Sequence, residues 1–187
     1  MDKTGRDLKR QLLSLLKKEA FRKGQIVLSS GRTSSFYIDG RSVTLNPEGA
    51  YLAACLILDL LKGKDIEAIG GPTLGADPIV GAIAAVSFLK KKPIKTFIVR
   101  KTPKAHGTRR QIEGPNLKSG SRLVLVDDVA TSGKSFAESI DILRSEGFIV
   151  DTAICIVDRR EGAQETLAQK DCRLISLFTP EDFGIKT

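Results

Sequence analysis

The chain has 187 residues, 41% hydrophobic, 28% charged and 5% aromatic; this length favours a single domain with its own core, and the composition excludes collagen-like and disordered classes. Lys and Arg number 30 against 22 Asp and Glu, a formal charge of +8, which points to an anionic partner: nucleic acid, membrane or a phosphorylated small molecule. Cys55, Cys155 and Cys172 stand far apart in apolar runs and His106 is the one histidine, a pattern that argues against a disulfide framework or a nitrogen and sulfur zinc site.

Residues 7–20 set Leu8, Leu12, Leu15, Leu16 and Ala20 at helical spacing with Lys and Arg between them, predicting an amphipathic helix. This N-terminal stretch lacks the apolar core and cleavage site of a signal peptide, and no apolar run reaches the ~18 residues of a membrane span. A reducing cytoplasm is therefore expected, with the cysteines as buried core thiols. Residues 25–28 and 36–39 read as two short strands around the turn-rich SSGRTSS. Asn46 and Pro47 suit the N-cap and first turn of a helix running to Leu61, with Gly63 as its stop.

Beyond this point strands and helices alternate. Strands are predicted over 66–70, 96–100, 123–126, 148–157 and 173–178, and helices over 77–89, 135–145 and 161–168. The unbroken apolar character of 123–126 suits a strand covered on both faces. Alternation of this kind predicts a parallel sheet flanked by helices, with ligands beyond the carboxyl ends of the strands.

Four of those strand ends carry chemistry. Residues 123–135, LVLVDDVATSGKS, form an apolar strand, an acid pair and a small-residue turn opening a helix. Its leading N–H groups, with the hydroxyls of Thr131, Ser132 and Ser135, make a phosphate cradle. It is not a Walker A loop, which would need glycine where Asp128 stands. Carboxylates beside a phosphate repel it unless they serve another group, and ribose hydroxyls are the obvious donors. The segment before this strand holds Arg100, Lys101, Lys104, His106, Arg109 and Arg110. It lacks the aromatics or basic helix face of a nucleic-acid surface and suits a leaving pyrophosphate instead. Residues 69–78, IGGPTLGADP, allow close backbone approach to an anion. Arg159, at the end of the strand 148–157, can grip a planar carboxylate, or equally pair with Asp158 or Glu161.

Four apolar residues, two acids and V-A-T-S-G form a pattern that resembles the phosphoribosyltransferases, and R-K-x-x-K-x-H-G followed by I-E-G resembles the catalytic loop of the orotate phosphoribosyltransferase family. Residues 28–39, 69–78 and 155–159 match that family too, so the likeness runs from about residue 20 to 183 in family order. Many members carry Lys where this chain has Ser29, and Tyr-Lys where it has Leu74 and Gly75; one branch carries LSSGR and GGPTLGADP much as here.

The resemblance implies an α/β fold, a Rossmann-like parallel sheet flanked by helices, as one domain over residues 1–187, with residues 1–45 forming a hood over the pyrimidine site. It implies transfer of phosphoribose from phosphoribosyl pyrophosphate to orotate, with Mg²⁺ held mainly through substrate and water. Arg100, Lys101, Lys104, His106, Asp127 and Asp128 are then the expected catalytic residues. Asp127, Asp128, Val129, Ala130, Thr131, Ser132, Gly133, Lys134 and Ser135 would hold the phosphoribosyl donor, Thr131 and Arg159 the orotate, and Phe36 and Tyr37 belong to the hood. A homodimer is expected, with loop 101–114 completing the neighbouring site. A purine or uracil phosphoribosyltransferase would share residues 127–135 without needing Arg159. A nucleic-acid-binding regulator with a phosphoribosyl sensor would need a further domain, for which 187 residues leave little room.

Overall fold

A computed structural model of the protein describes residues 3–27, 33–102 and 111–185. The chain opens with helix α1 (Lys3–Leu15), which continues through a π-helical turn (Leu16–Ala20) whose Leu16, with Leu12 before it, is fully buried. A hairpin follows, β1 (Phe21–Val27) against β2 (Thr33–Ile38). Each strand is thus longer at its start than the apolar pattern indicated, because cross-strand pairing carries polar residues such as Arg22 and Lys23 into the ladder. A short helix, α2 (Arg41–Thr44), had no local signal. Helix α3 (Pro47–Leu60) begins where its residues predict: the Asn46 side chain accepts from the N–H groups of Glu48 and Gly49 at 2.9 and 3.3 Å, and Pro47 fills the first turn.

The rest is one six-stranded sheet with helices on both faces. Its elements are β3 (Ala68–Pro72), α4 (Ala76–Leu89), β4 (Lys95–Val99), β5 (Ile112–Glu113), β6 (Arg122–Ala130), α5 (Lys134–Ser145), β7 (Ile149–Asp158), α6 (Ala163–Ala168) and β8 (Arg173–Phe178). The order is β5-β4-β3-β6-β7-β8, parallel throughout except for the β4–β5 edge pair. The β4–β5 edge pair is the one antiparallel pairing in this sheet among the described residues, and the hairpin is separate from it, its short connection bringing β2 back antiparallel to β1.

Side-chain alternation along β6 explains its apolar run. Val124 and Val126 face a core built with Leu12, Leu52, Leu56, Ile79 and Ile83, whereas Leu123 and Leu125 face one built with Phe136, Ile140, Leu143 and Leu167. The strand does not stop at Val126, where the apolar pattern ends. β7 pairs with it through Asp127↔Cys155, Val129↔Val157 and Ala130↔Asp158, so the acid pair sits on the strand itself rather than in the turn after it. Cys55, Cys155 and Cys172 are all buried free thiols, and burial pushes Cys172 up to about 11. No helix among the described residues is long and apolar enough to cross a membrane.

Candidate active site

Strand order reverses between β3 and β6, since the chain leaves β3 for β4 on one side and only later returns to the other. Such a reversal parts the connections and opens a crevice beyond the carboxyl ends of the strands. Here the crevice is a cavity of about 480 Å³, lined by Tyr37, Ile38, Asp39, Gly40 and Arg41 from the hairpin side, Thr73, Leu74 and Gly75 after β3, Lys101 after β4, and Asp127, Asp128, Val129 and Ser135. The Thr73–Leu74 peptide is cis. The turn after β3 lies directly against the acids: a Cβ at position 75 would come within 2.0 Å of Asp127 Oδ1 and 2.6 Å of Asp128 Oδ1. A side chain there would have to displace both carboxylates from these positions.

The half-buried acids Asp127 and Asp128 are oriented by their own strand. Asp127 Oδ1 accepts from the Asp128 N–H at 2.9 Å, and Asp128 Oδ1 from the Val129 N–H at 2.8 Å. Burial raises both carboxyl pKa values, Asp127 well above the ordinary range, where the charge of Asp128 adds to the effect. Lys101 pulls Asp127 down and Arg41 pulls Asp128 down, without cancelling the rise. A pair held this way favours ligands that donate hydrogen bonds or carry positive charge.

Immediately beyond, residues 131–133 turn the chain into α5. Gly133 has φ +77°, and a Cβ there would meet Leu167 Cδ1 at 2.9 Å and Ala163 Cα at 3.1 Å. No side-chain hydrogen bond caps α5 among the described residues, so its first N–H groups have no side-chain acceptor, and Ser135 in its first turn lines the crevice. Thr131 and Ser135 are half-buried at this turn and Ser132 is exposed. Lys134 extends outward, 3.8 Å from Glu138 on the exposed helix face, so it contributes to the turn through its backbone.

Lys101 and Ser135 also line a second hollow of about 500 Å³ together with Arg100, Glu138 and Asp141. The two ends of the basic segment are pinned side by side: the Arg100 N–H donates to the Gln111 carbonyl at 2.8 Å, and Gln111 Nε2 donates to the Arg100 carbonyl at 3.1 Å. Arg100 itself lies 3.7 Å from Glu113. Lys104, His106, Arg109 and Arg110, like Ser29, lie outside the described residues.

Arg159 pairs with Glu161 rather than Asp158, and not at the surface: its side chain is 4% exposed and lies against Phe36. Asp158 instead accepts from the Arg160 N–H and from Gln164. Asp39, Gly40 and Arg41 are cavity residues that the sequence reading did not single out. Arg41 Nε pairs with Asp39 at 3.3 Å and acts on Asp128 across the cavity. The only local signal was the Asp-Gly turn after a strand, which occurs in many places without function.

Residues 47–184 match the family model of the phosphoribosyl transferase domain. The orotate phosphoribosyltransferase of Nostoc sp. is 45% identical over 175 residues, 94% of this chain and 84% of that protein. A crystal structure of Mycobacterium tuberculosis orotate phosphoribosyltransferase in complex with 5-phospho-α-D-ribosyl 1-diphosphate superposes with TM-score 0.79 at 30% identity, covering 95% of this chain and 99% of that one. The orotate phosphoribosyltransferase of Aeropyrum pernix superposes with TM-score 0.75 at 40% identity, over 94% and 99% of the two chains. With its acid pair at the strand-order reversal and this likeness along nearly its whole length, the chain belongs to the orotate phosphoribosyltransferase family.

Proposed function

We propose that the protein transfers the 5-phosphoribosyl group from phosphoribosyl pyrophosphate to a ring nitrogen of orotate, giving orotidine 5′-monophosphate and pyrophosphate in pyrimidine biosynthesis. The observation that carries this reading is the single crevice in which an acid pair, an uncapped helix start and Lys101 meet. As the bond to pyrophosphate loosens, the ribose carbon gains positive character and the leaving oxygens gain negative charge, so the reaction needs anions at the sugar and cations at the departing group. Asp127 and Asp128 accept from the ribose hydroxyls and lie near the developing cation. The N–H groups of residues 131–135 receive the 5′-phosphate. Arg100, Lys101, Lys104 and His106 receive the pyrophosphate, and Arg159 binds the orotate carboxylate beside Phe36 and Tyr37. No covalent nucleophile is required.

Mg²⁺ fits this donor set. Hard carboxylate oxygens at Asp127 and Asp128 would suit it, and an ion that keeps its hydration would be held mainly through the donor substrate and water. When bound, it neutralises charge on the pyrophosphate and ribose oxygens. The functional unit is a homodimer in which loop 101–114 completes the neighbouring site. Lys101, at the base of that loop, lines the cavity of its own chain, so Lys104 and His106 carry the exchange. Leu74, 68% exposed in the lining of the crevice, supports a covering partner. Free, buried cysteines suit a cytoplasmic enzyme.

One assay tests the assignment: with phosphoribosyl pyrophosphate and Mg²⁺, pyrophosphate release should occur with orotate and not with uracil or hypoxanthine. Turnover with either of those bases in preference to orotate would overturn it. Lys104→Ala should lower kcat by about 10²-fold or more without altering the melting temperature, as expected for a group acting on the transition state.

A further inference from the structure

Arg159 follows β7 almost wholly out of solvent, 4% exposed. Nε donates to Glu161 Oε1 at 2.8 Å, and Nη2 donates to Ser34 Oγ at 3.0 Å and to the Phe36 carbonyl at 3.4 Å. The guanidinium carbon sits 4.4 Å from the centre of the Phe36 ring. Ser34 Oγ donates its own proton to the Phe36 carbonyl at 2.8 Å, so towards Arg159 this hydroxyl acts only as an acceptor. Nη1 makes no hydrogen bond to any described residue. Among the described residues, then, two of the guanidinium nitrogens have acceptors and Nη1 has none.

We propose that Glu161 is a positioning residue for substrate recognition: together with Ser34 it fixes the Arg159 fork so that Nη1 is the edge presented to the carboxylate of the pyrimidine substrate. This rests on the assignment of Arg159 to that carboxylate. An unanchored arginine must give up side-chain rotamer freedom when a ligand fixes it, and recognition of a planar carboxylate is sensitive to the angle of the fork. Glu161 stands two residues beyond Arg159 and is 24% exposed, so its bond to Nε is only partly screened. Its charge also opposes a second carboxylate at the same arginine. The contribution of Glu161 must therefore come from the geometry of an accepted hydrogen bond and not from its net charge. The same arginine fastens β2 to β7, so the hood and the substrate-facing edge share one anchor.

The test is a set of steady-state measurements on Glu161→Ala, Glu161→Gln, Arg159→Ala and the Arg159→Ala/Glu161→Ala double variant, each checked for wild-type melting behaviour. Glu161→Ala should raise KM for orotate about tenfold, the scale of one lost hydrogen bond to a charged group, while kcat and KM for phosphoribosyl pyrophosphate stay within about twofold. Glu161→Gln, whose amide oxygen still accepts from Nε, should recover KM to within about threefold of wild type. In the Arg159→Ala background, Glu161→Ala should add nothing, because its effect passes through the arginine. An unchanged orotate KM in Glu161→Ala, no recovery in Glu161→Gln, or an undiminished effect without Arg159 would each overturn the positioning role. If Arg159→Ala itself leaves orotate KM unchanged, the carboxylate assignment fails first and the positioning role with it.

Discussion

Burial raises the proton affinity of Asp127, and the neighbouring charge of Asp128 raises it further. A carboxyl whose folded pKa lies above its unfolded value of ~3.9 binds more protons when folded. Stability therefore falls as pH rises through that window, and the full cost is present above the folded pKa. Asp127→Asn should consequently raise stability at pH 7 by about 1 kcal/mol, or roughly 2–4 °C in Tm for a chain of this size, while reducing kcat/KM by at least about 10²-fold. Calorimetry against pH should show the gap closing below about pH 4. Gly133 offers the opposite case. Its φ of +77° and the approach of Leu167 to within 2.9 Å of any Cβ leave no room for a side chain. Gly133→Ala should cost about 2 kcal/mol in urea unfolding and weaken binding of the phosphoribosyl donor, because the phosphate turn must distort to accept it. The close approach of Gly75 to the acids is invisible in the sequence, because it depends on two residues more than fifty positions away.

Elements with local signals were legible and those defined by their neighbours were not. The start of α3 is written in Asn46 and Pro47, and the cap hydrogen bonds form as those residues predict. Asn46→Ala should cost about 1 kcal/mol in urea unfolding and leave kcat unchanged, since the cap lies away from the crevice. The end of β6 was read too early because Asp127 and Asp128 interrupt the apolar run, whereas the backbone ladder to β7 is indifferent to side-chain polarity and continues to Ala130. β5, two residues long, exists only because the chain must return along β4 after the basic segment. The hairpin was anticipated as a hood, but not its fastening. Phe21 stacks on Phe183 with ring centres 5.2 Å apart, joining the N-terminal strand to the last turn of the chain.

For the whole molecule, the sheet is fastened at the end opposite the crevice by Glu67. Its carboxylate accepts from Lys95 Nζ at 2.8 Å, from the Lys118 N–H at 3.2 Å and from the Ser121 hydroxyl, which joins β3 to β4 and to the segment entering β6. These donors push its pKa from 4.5 down to about 2. For a lowered carboxyl pKa the sign reverses from that of Asp127. The stabilisation is fully present above the unfolded value and is lost as pH falls from 4.5 towards 2. Melts across that range should show a steep acid limb in the wild type and a shallower one in Glu67→Gln, and parallel limbs would count against this linkage. Part of the charge of +8 is likewise explained by position: Lys101 stands beside the acid pair, which suits a small polyanion next to a sugar rather than an extended nucleic acid. The sequence by itself determined the alternating elements, the cap of α3, the buried thiols and the turn into α5, because each depends on residues close together in the chain. Only the tertiary structure decided that Arg41 faces Asp128, that Gly75 presses on the acids and that Arg159 reaches Ser34, 125 positions away. Those contacts depend on which strands become neighbours, and no short stretch of residues specifies that.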